Sequence, residues 1–364
     1  MHAADRVLTA KLLPPRARRH TLVRRRLQER LREVWEVPLT IIQAGPGYGK
    51  TTALASFLAE QPHAQAWYSI GEEDADPLPF LLHLVHALRR VNPLIGEKAL
   101  SILQEGEGPS RPWDLAVEAL INDMVFSAQP ETLVVLDDFH LVDQVSQICS
   151  MVEHMVDHLP PQVHVIISSR RRPPLPGLAR WRARADLLEI TQDDLLFTPS
   201  EVEELFRDHY GWDLTADQVE ALTRRTEGWI IALQLVWQGL KKGSPLGEVW
   251  SEQGGSQDAL FGYLAKEVLD RQKPFVRRFL LTTSVLERLT PEVCNALMEI
   301  DNSAQVLAEL EDNGLFISQV PERGYRYHQL FHQFLQEQAR KDEETWRNNH
   351  LRAAAHYREA GAPE

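Results

Sequence analysis

Residues 44–52 read Ala-Gly-Pro-Gly-Tyr-Gly-Lys-Thr-Thr and follow the apolar run Pro38-Leu39-Thr40-Ile41-Ile42. This order predicts a strand, a glycine-rich turn and a helix that begins near Lys50. The glycines let the backbone curl so that its N–H groups face inward around phosphate oxygens. The helix adds the positive end of its dipole. The stretch therefore predicts a binding site for a nucleoside triphosphate.

The end of this loop predicts individual contacts. We expect Lys50 to reach the β- and γ-phosphates and the Thr51 hydroxyl to ligate Mg²⁺. Ala44 stands where the strict pattern has glycine, and a small residue there still permits the turn. The alternative is a glycine-rich surface turn before an ordinary helix, which leaves the Lys-Thr pair without a role. The loop residues predicted to contact the nucleotide are Gly45, Gly47, Tyr48, Gly49, Lys50, Thr51 and Thr52.

Two carboxylates follow a second apolar run. Leu133-Val134-Val135-Leu136 leads directly into Asp137 and Asp138, which places both side chains at the carboxyl edge of a buried strand. We expect Asp137 to hold Mg²⁺, because this ion prefers oxygen ligands and keeps part of its water shell. Asp138 would orient or deprotonate the attacking water. Taken without the phosphate loop, the pair would be read as an acidic turn.

An arginine follows a third apolar run. The segment 163–168 continues through Ser169 into Arg170, at the same predicted sheet edge. From there Arg170 can reach the γ-phosphate and report its presence, whereas Arg171 and Arg172 are weaker candidates. The predicted catalytic residues are Lys50, Asp137, Asp138 and Arg170.

Bulk composition excludes several classes of protein. A chain of 364 residues exceeds one core, which predicts two to three domains. The net charge of −13 argues against binding nucleic acid by bulk electrostatics. Cys149 and Cys294 match no metal or redox spacing and suit a reducing compartment. No apolar run approaches the ~18 residues of a membrane span, so we expect a cytoplasmic protein without a membrane partner.

The pattern of elements predicts an α/β domain followed by helices. Strands alternate with helices up to about residue 195, which is typical of right-handed βαβ units and a mostly parallel sheet. Capping signals at Thr198 and Thr215 then begin helices. Three helices and a hairpin over 315–327 indicate a winged helix. The chain stops at 361–364 in what resembles a turn between helices, so we expect the polypeptide to continue.

Two histidine pairs have the spacing of metal ligands. His154 and His158 are four residues apart, as are His328 and His332. Neither pair has the glutamate of a zinc-protease helix or a third ligand nearby. We predict no metal site at either pair.

The order of these motifs resembles the STAND class of P-loop NTPases, and most closely the nucleotide-binding part of MalT-like, LuxR-family transcriptional activators. Besides the phosphate loop, the matching segments are Lys11-Leu12 with Pro14-Pro15, Leu22-Val23-Arg24 with Arg26-Leu27, Leu136-Asp137-Asp138-Phe139-His140, Ser169-Arg170, Leu187-Leu188-Glu189-Ile190, Glu227-Gly228-Trp229, Ala232-Leu233-Gln234-Leu235, Tyr327-His328, Leu330-Phe331 and Phe334-Leu335.

The resemblance implies a fold with four parts. A P-loop NTPase parallel sheet of the AAA+/STAND type would be followed by an α-helical domain, a winged-helix domain and the start of a helical repeat arm. The corresponding predicted ranges are 1–195, 196–272, 273–340 and 341–364.

The resemblance also implies further nucleotide contacts. Val23 and Arg24 would lie by the adenine, and His328 would touch the β-phosphate of ADP and lock the domains closed. The sequence departs from many relatives at Gly228, where Gly-Trp-Ile replaces a nucleotide-contacting Gly-x-Pro.

As a function, the resemblance implies a switch that rests with ADP, self-associates with ATP and resets by slow hydrolysis. An inducer and DNA would bind through regions outside these residues. Three alternatives stay open: a multiple-turnover ATPase such as a ring motor, a STAND switch with an immune or other effector output, and a winged-helix DNA-binding protein that keeps nucleotide as a structural ligand. The acidic to mixed charge around the hairpin argues against the last.

Overall fold

The computed structural model describes residues 7–15, 22–105, 112–126, 131–241, 269–270, 272–312, 317–320 and 324–359. The chain divides into two units, Met1–Leu195 and Leu196–Glu364. This division falls where the sequence pattern changes from alternating elements to helices. The finer boundaries predicted at 272 and 340 stay predictions.

The first unit alternates strands with helices. Its strands are β1 (Leu39–Gln43), β2 (Ala64–Ser69), β3 (Thr132–Asp137), β4 (Val163–Ser169) and β5 (Leu187–Ile190). Its helices are α1 (Arg25–Arg32), α2 (Lys50–Ala59), α3 (Pro77–Val91), α4 (Glu97–Glu105), α5 (Pro112–Phe126), α6 (Ser146–Asp157), α7 (Leu178–Arg184) and α8 (Gln192–Leu195). Short 3-10 turns cover Thr9–Leu12, Glu33–Glu36, Glu72–Asp74 and Phe139–Leu141.

The five strands form one parallel sheet in the order β2-β3-β4-β1-β5. Every residue of β3 and β4 is buried, as expected for strands covered on both faces. Because β4 lies between β1 and β3, the loops that leave these three strands emerge side by side at the carboxyl edge. Open α/β sheets bind their ligands at this edge. The predicted parallel sheet is confirmed.

Helix α4 has no counterpart among the predicted elements. Its Ala99 and Leu103 are buried one turn apart, and it packs against α5. Gly96 precedes it with φ +80°, and the Gly96 N–H donates to Asp123 of α5 at 2.8 Å. The hydrophobic pattern of the sequence does not predict this helix, because only a short stretch of it faces the core. Helix α1 gives way to a 3-10 turn at Glu33.

The second unit is helical apart from one hairpin within the described residues. Its helices are α9 (Pro199–Glu204), α10 (Ala216–Thr226), α11 (Ile230–Lys241), α12 (Pro274–Thr283), α13 (Pro291–Met298), α14 (Ser303–Asp312), α15 (Gln329–Ala339) and α16 (Glu343–Glu359). A π-helical turn, Leu205–His209, follows α9. The antiparallel strands are β6 (Ile317–Val320) and β7 (Gly324–Tyr327).

The helix caps and the hairpin predicted for this unit are present in the structure. Thr198 caps α9 and Thr215 caps α10, each in a reciprocal capping box. The predicted hairpin is present, with Ile317 opposite Tyr327. Its turn at 321–323 lies outside the described residues. A membrane-crossing helix needs about 20 apolar residues, and none of the helices in the described ranges meets that need.

Candidate functional site

The loop between β1 and α2 has the curled backbone that the sequence predicts. Gly47 and Gly49 have φ values of +77° and +81°, in the left-handed region that residues with a Cβ avoid. Gly49 is the N-cap of α2. At the start of the loop, the Ala44 N–H donates to the Ser169 carbonyl at 3.2 Å, which ties the loop to the end of β4.

Lys50 lies folded back over its own loop. Its side chain is buried, and Nζ donates to the carbonyls of Ala44 at 2.7 Å and Gly45 at 3.1 Å. Burial lowers the pKa of Lys50 to about 8, an effect that Asp138 opposes and Arg170 reinforces. A buried ammonium held by neutral carbonyls favours an anionic partner.

Thr51 and Asp137 form the tightest contact between the loop helix and β3. The Thr51 hydroxyl lies 2.9 Å from Asp137 Oδ2 and 3.2 Å from Oδ1. Asp137 is 2% exposed, and its pKa is raised by burial first and by Asp138 second. This pair offers two hard oxygen ligands side by side, which suits Mg²⁺. The described ranges contain no group of three His, Cys, Asp or Glu residues that could hold a metal ion.

Asp138 and Arg170 flank this pair at the same edge of the sheet. Asp138 has φ +61°, and its side chain is 42% exposed. Arg170 is half-buried and lies close enough to Lys50 and His140 to lower the pKa of both. Among the described residues it makes no hydrogen bond or ion pair. The site therefore contains a cation without a protein anion.

The next two arginines are engaged elsewhere. The Arg171 guanidinium holds both oxygens of Asp143, with Nε 2.8 Å from Oδ2, and donates to the His140 carbonyl at 3.3 Å. The Asp143 side chain is fully buried. Arg172 lies 3.4 Å from Glu189 at the surface. These contacts distinguish Arg170 from its neighbours, and its role near the γ-phosphate stays a prediction.

The other residues of this unit that are predicted to contact the nucleotide differ in their exposure to solvent. Tyr48 is buried, whereas Thr52 is exposed on the first turn of α2. Val23 is an apolar residue that is 40% exposed. Arg24 is buried and donates from Nη1 to the Leu195 carbonyl at 2.7 Å. This contact joins the residue before α1 to the end of α8.

Two residues near the loop had no predicted role. Gln192, the first residue of α8, accepts a hydrogen bond from the Gly45 N–H at 3.3 Å. His140, three residues beyond Asp137, is almost fully enclosed beside Asp138. The motif Asp-Asp-Phe-His contains the only sequence signal for His140, and Gln192 has none.

His328 belongs to the second unit and is buried there at the start of α15. The Trp229 ring meets it edge-on, with centroids 5.4 Å apart. Next to it, Arg326 holds Glu227 through two hydrogen bonds of 2.7 and 2.8 Å. Burial lowers the pKa of His328, and Glu227 opposes the shift. The hairpin is thereby joined to the Glu-Gly-Trp turn between α10 and α11.

That turn requires glycine at its centre. Gly228 has φ +74°, and a Cβ there would lie 2.4 Å from the Phe197 carbonyl oxygen. The backbones of Gly228 and Phe197 are hydrogen-bonded at 2.9 Å. The sequence departs from Gly-x-Pro after the glycine but keeps Gly228 itself, because the Phe197 backbone lies too close for a Cβ at this position.

Comparison with known proteins identifies the chain's family. A family model described as the MalT winged helix domain matches residues 265–347, and one described as Nephrocystin 3, N-terminal, matches 21–170. The transcriptional regulator MalT of Yersinia enterocolitica is 31% identical over 338 residues, which is 91% of this chain. These matches support a MalT-like P-loop NTPase. This confirms the resemblance drawn from the sequence.

Two further likenesses extend the comparison. The serine/threonine-protein kinase PknK of Mycobacterium tuberculosis is 32% identical to the MalT-like NTPase over 320 residues, or 86% of the chain. The Walker-type ATPase PABY2304 of Pyrococcus abyssi matches with a TM-score of 0.60 at 15% identity, covering 90% of this chain and 99% of that one. At that identity the likeness shows the fold alone. The chain spans 28% of the length of PknK and 36% of that of MalT.

Proposed function

We propose that this MalT-like NTPase is an adenine-nucleotide switch that rests with ADP bound and changes state with ATP. The observation that carries the proposal is the Thr51–Asp137 contact, 2.9 Å long, beside buried Lys50. A glycine-rich loop, an oxygen pair suited to Mg²⁺ and the cation Arg170, which has no hydrogen bond or ion pair among the described residues, lie at one edge of the sheet. This set of groups fits a triphosphate and distinguishes it from a diphosphate.

Each group has a proposed role. Lys50 and the loop N–H groups bind the β- and γ-phosphates. Thr51 and Asp137 hold Mg²⁺, which neutralises charge on the phosphate oxygens when bound. Asp138 accepts a proton from the attacking water, whose oxygen bonds to the γ-phosphorus as the bond to the bridging oxygen breaks. Arg170 supplies positive charge near the γ-phosphate.

The adenine end of the site is proposed from the resemblance. Val23 offers an exposed apolar side chain, and Arg24 fixes the segment before α1 through its bond to Leu195. His328 is proposed to contact the β-phosphate of ADP. A variant His328→Ala should then release ADP faster, and an unchanged ADP dissociation rate would remove His328 from the site.

Nucleotide identity provides the first experiment. The purified chain is denatured, and the released nucleotide is identified by ion-exchange chromatography. We expect ADP in roughly one-to-one amount from the parent and none from Lys50→Ala. Recovery of guanine nucleotides, or of no nucleotide combined with no binding of added ATP or ADP, would contradict the proposal.

The rate of hydrolysis separates the switch from a multiple-turnover ATPase. A switch that resets slowly should turn over far less than once per second, since its cycle is limited by exchange or rearrangement. Steady turnover at many cycles per second by the purified chain would favour the ring-motor alternative.

The output of the switch lies in the wider protein. The relatives that share this module include a transcriptional regulator and a protein kinase, which supports a module that controls an attached output. We propose self-association with ATP, an inducer and DNA bound by other regions, with an immune or other effector output as the alternative. Light scattering with ADP and with a slowly hydrolysed ATP analogue tests the self-association.

A further inference from the structure

The side chain of His140 is a largely buried polar group at the sheet edge that the proposed roles leave unused. It follows β3 in the 3-10 turn Phe139–Leu141, and the side chain is 11% exposed. Both ring nitrogens are buried, and neither has a hydrogen-bond partner within the described residues. A buried polar group without a partner costs about 1–3 kcal/mol, so such a group calls for an explanation.

The surroundings keep this imidazole neutral. Burial lowers the pKa of His140 to about 3, with Arg170, Lys50 and Arg171 acting in the same direction. A neutral imidazole has one N–H donor and one acceptor nitrogen. It can therefore donate to a carboxylate without adding a further charge to the site.

The nearest carboxylate is Asp138. Its Oδ1 lies 3.8 Å from His140 Nδ1, about 1 Å beyond a hydrogen bond. The Asp138 side chain is 42% exposed and has room to move. The positive charge of Lys50 attracts this carboxylate, and Asp138 in turn raises the pKa of Lys50. A bound triphosphate would take up the Lys50 charge, and a small movement of Asp138 would then bring it within hydrogen-bond distance of His140.

We propose that His140 is the positioning residue for Asp138: with nucleotide bound, its Nδ1–H donates to Asp138 Oδ1 and fixes the carboxylate that receives the proton from water. The inference rests on the proposed function, because it presupposes a bound triphosphate. It adds a residue to the hydrolytic group and assigns its tautomer.

Variants of His140 separate the two ring nitrogens. The amide nitrogen of asparagine occupies the place of Nδ1, whereas that of glutamine occupies the place of Nε2. We expect His140→Ala to bind ATP and ADP within about threefold of the parent and to hydrolyse ATP about 10- to 100-fold more slowly. His140→Asn should regain most of the rate, and His140→Gln should not. His158→Ala, at the exposed residue that follows α6, is the matched control and should equal the parent.

A spectroscopic readout is independent of turnover. Long-range ¹H–¹⁵N correlation on the chain with a slowly hydrolysed ATP analogue and Mg²⁺ should assign the proton of His140 to Nδ1. An Nε2–H tautomer, rescue by glutamine instead of asparagine, or an unchanged rate in His140→Ala would overturn the inference. Failure of the nucleotide switch looks different, because the parent itself would then bind neither ATP nor ADP.

Discussion

The Thr51 hydroxyl lies 2.9 Å from Asp137 Oδ2, and this contact joins the first turn of α2 to the last residue of β3. The two residues are 86 positions apart in the chain. The fold therefore brings a hydroxyl and a carboxylate together at the sheet edge, and removing the hydroxyl tests whether this pair holds Mg²⁺ as proposed.

Removing the Thr51 hydroxyl should weaken nucleotide binding only in the presence of Mg²⁺. We expect Thr51→Ala to lose about 10- to 100-fold in ATP affinity with Mg²⁺, the range found when metal-site contacts are removed, and little in EDTA. Titration of a fluorescent ATP analogue in both buffers measures the difference. Thr51→Ser keeps the hydroxyl and serves as the control. An equal loss in both buffers would assign Thr51 a structural role.

Replacing Lys50 should remove nucleotide binding while leaving the fold intact. The ammonium is buried against two carbonyls of its own loop, so alanine removes a costly buried charge along with its hydrogen bonds. In a thermal-shift assay, ADP at about 100 times its Kd should stabilise the parent by about 2.7 kcal/mol. Lys50→Ala should show no such stabilisation. A variant that still gains stability from ADP would contradict the role of Lys50.

Arg170 and Arg171 should differ in what their loss affects. Arg171→Ala leaves the fully buried carboxylate of Asp143 without its cation, and we expect it to lower the free energy of unfolding by about 3–5 kcal/mol. Arg170→Ala removes no ion pair, so stability should stay within about 0.5 kcal/mol. Arg170→Ala should instead change the ratio of the affinity for ATP to the affinity for ADP. Urea unfolding and nucleotide titration of both variants distinguish the two, and the reverse pattern would refute the assignment.

The buried imidazole of His140 should make the fold sensitive to acid. Its native pKa of about 3 lies below the ordinary value of 6.5, so the unfolded chain takes up the proton first. The free energy of unfolding should therefore fall as pH drops below 6.5 and continue to fall until about pH 3. Between pH 7.5 and 5.5 this one group contributes a loss of up to about 1.4 kcal/mol.

Urea unfolding of His140→Gln at both pH values isolates this contribution. The parent should lose up to about 1.4 kcal/mol more than the variant on acidification. His158→Gln, at an exposed site, should follow the parent. If His140→Gln also follows the parent, the imidazole is not held neutral.

Gly228 should tolerate no side chain. Alanine there combines a left-handed φ of +74° with a Cβ placed 2.4 Å from a carbonyl oxygen, so the turn must move. We expect Gly228→Ala to lower the free energy of unfolding by more than about 2 kcal/mol. Gly211, with φ +67° and open space around its Cβ, is the control and should cost only about 1 kcal/mol. Equal losses in thermal unfolding would show that the close approach is unimportant.

The residues at the carboxyl edge of the sheet could be predicted from the sequence because each of them directly follows an apolar run. Continuous apolar runs predicted β3 and β4, and the residues after them had to meet once the strands were parallel. Lys50, Thr51 and Asp137 could be placed in this way. The strand order itself could not, although it is what sets Arg170 between the loop and Asp137.

Contacts that depend on loop paths escaped prediction. Asp143 captures Arg171 from 28 residues away, and Gln192 reaches Gly45 from 147 residues away. Nothing in the composition of those segments signals the partner. The enclosure of His140 likewise depends on the side chains around it, not on its own sequence position.

The hold of Lys50 on the carbonyls of Ala44 and Gly45 has a kinetic consequence. A loop whose cation is already bonded keeps its shape between ligands, so an arriving phosphate exchanges one set of hydrogen bonds for another and orders little backbone. In the proposed switch, exchange of one nucleotide for the next would then need no refolding of the loop. Dissociation of the bound nucleotide would set how quickly the molecule responds to a change in the ratio of ATP to ADP.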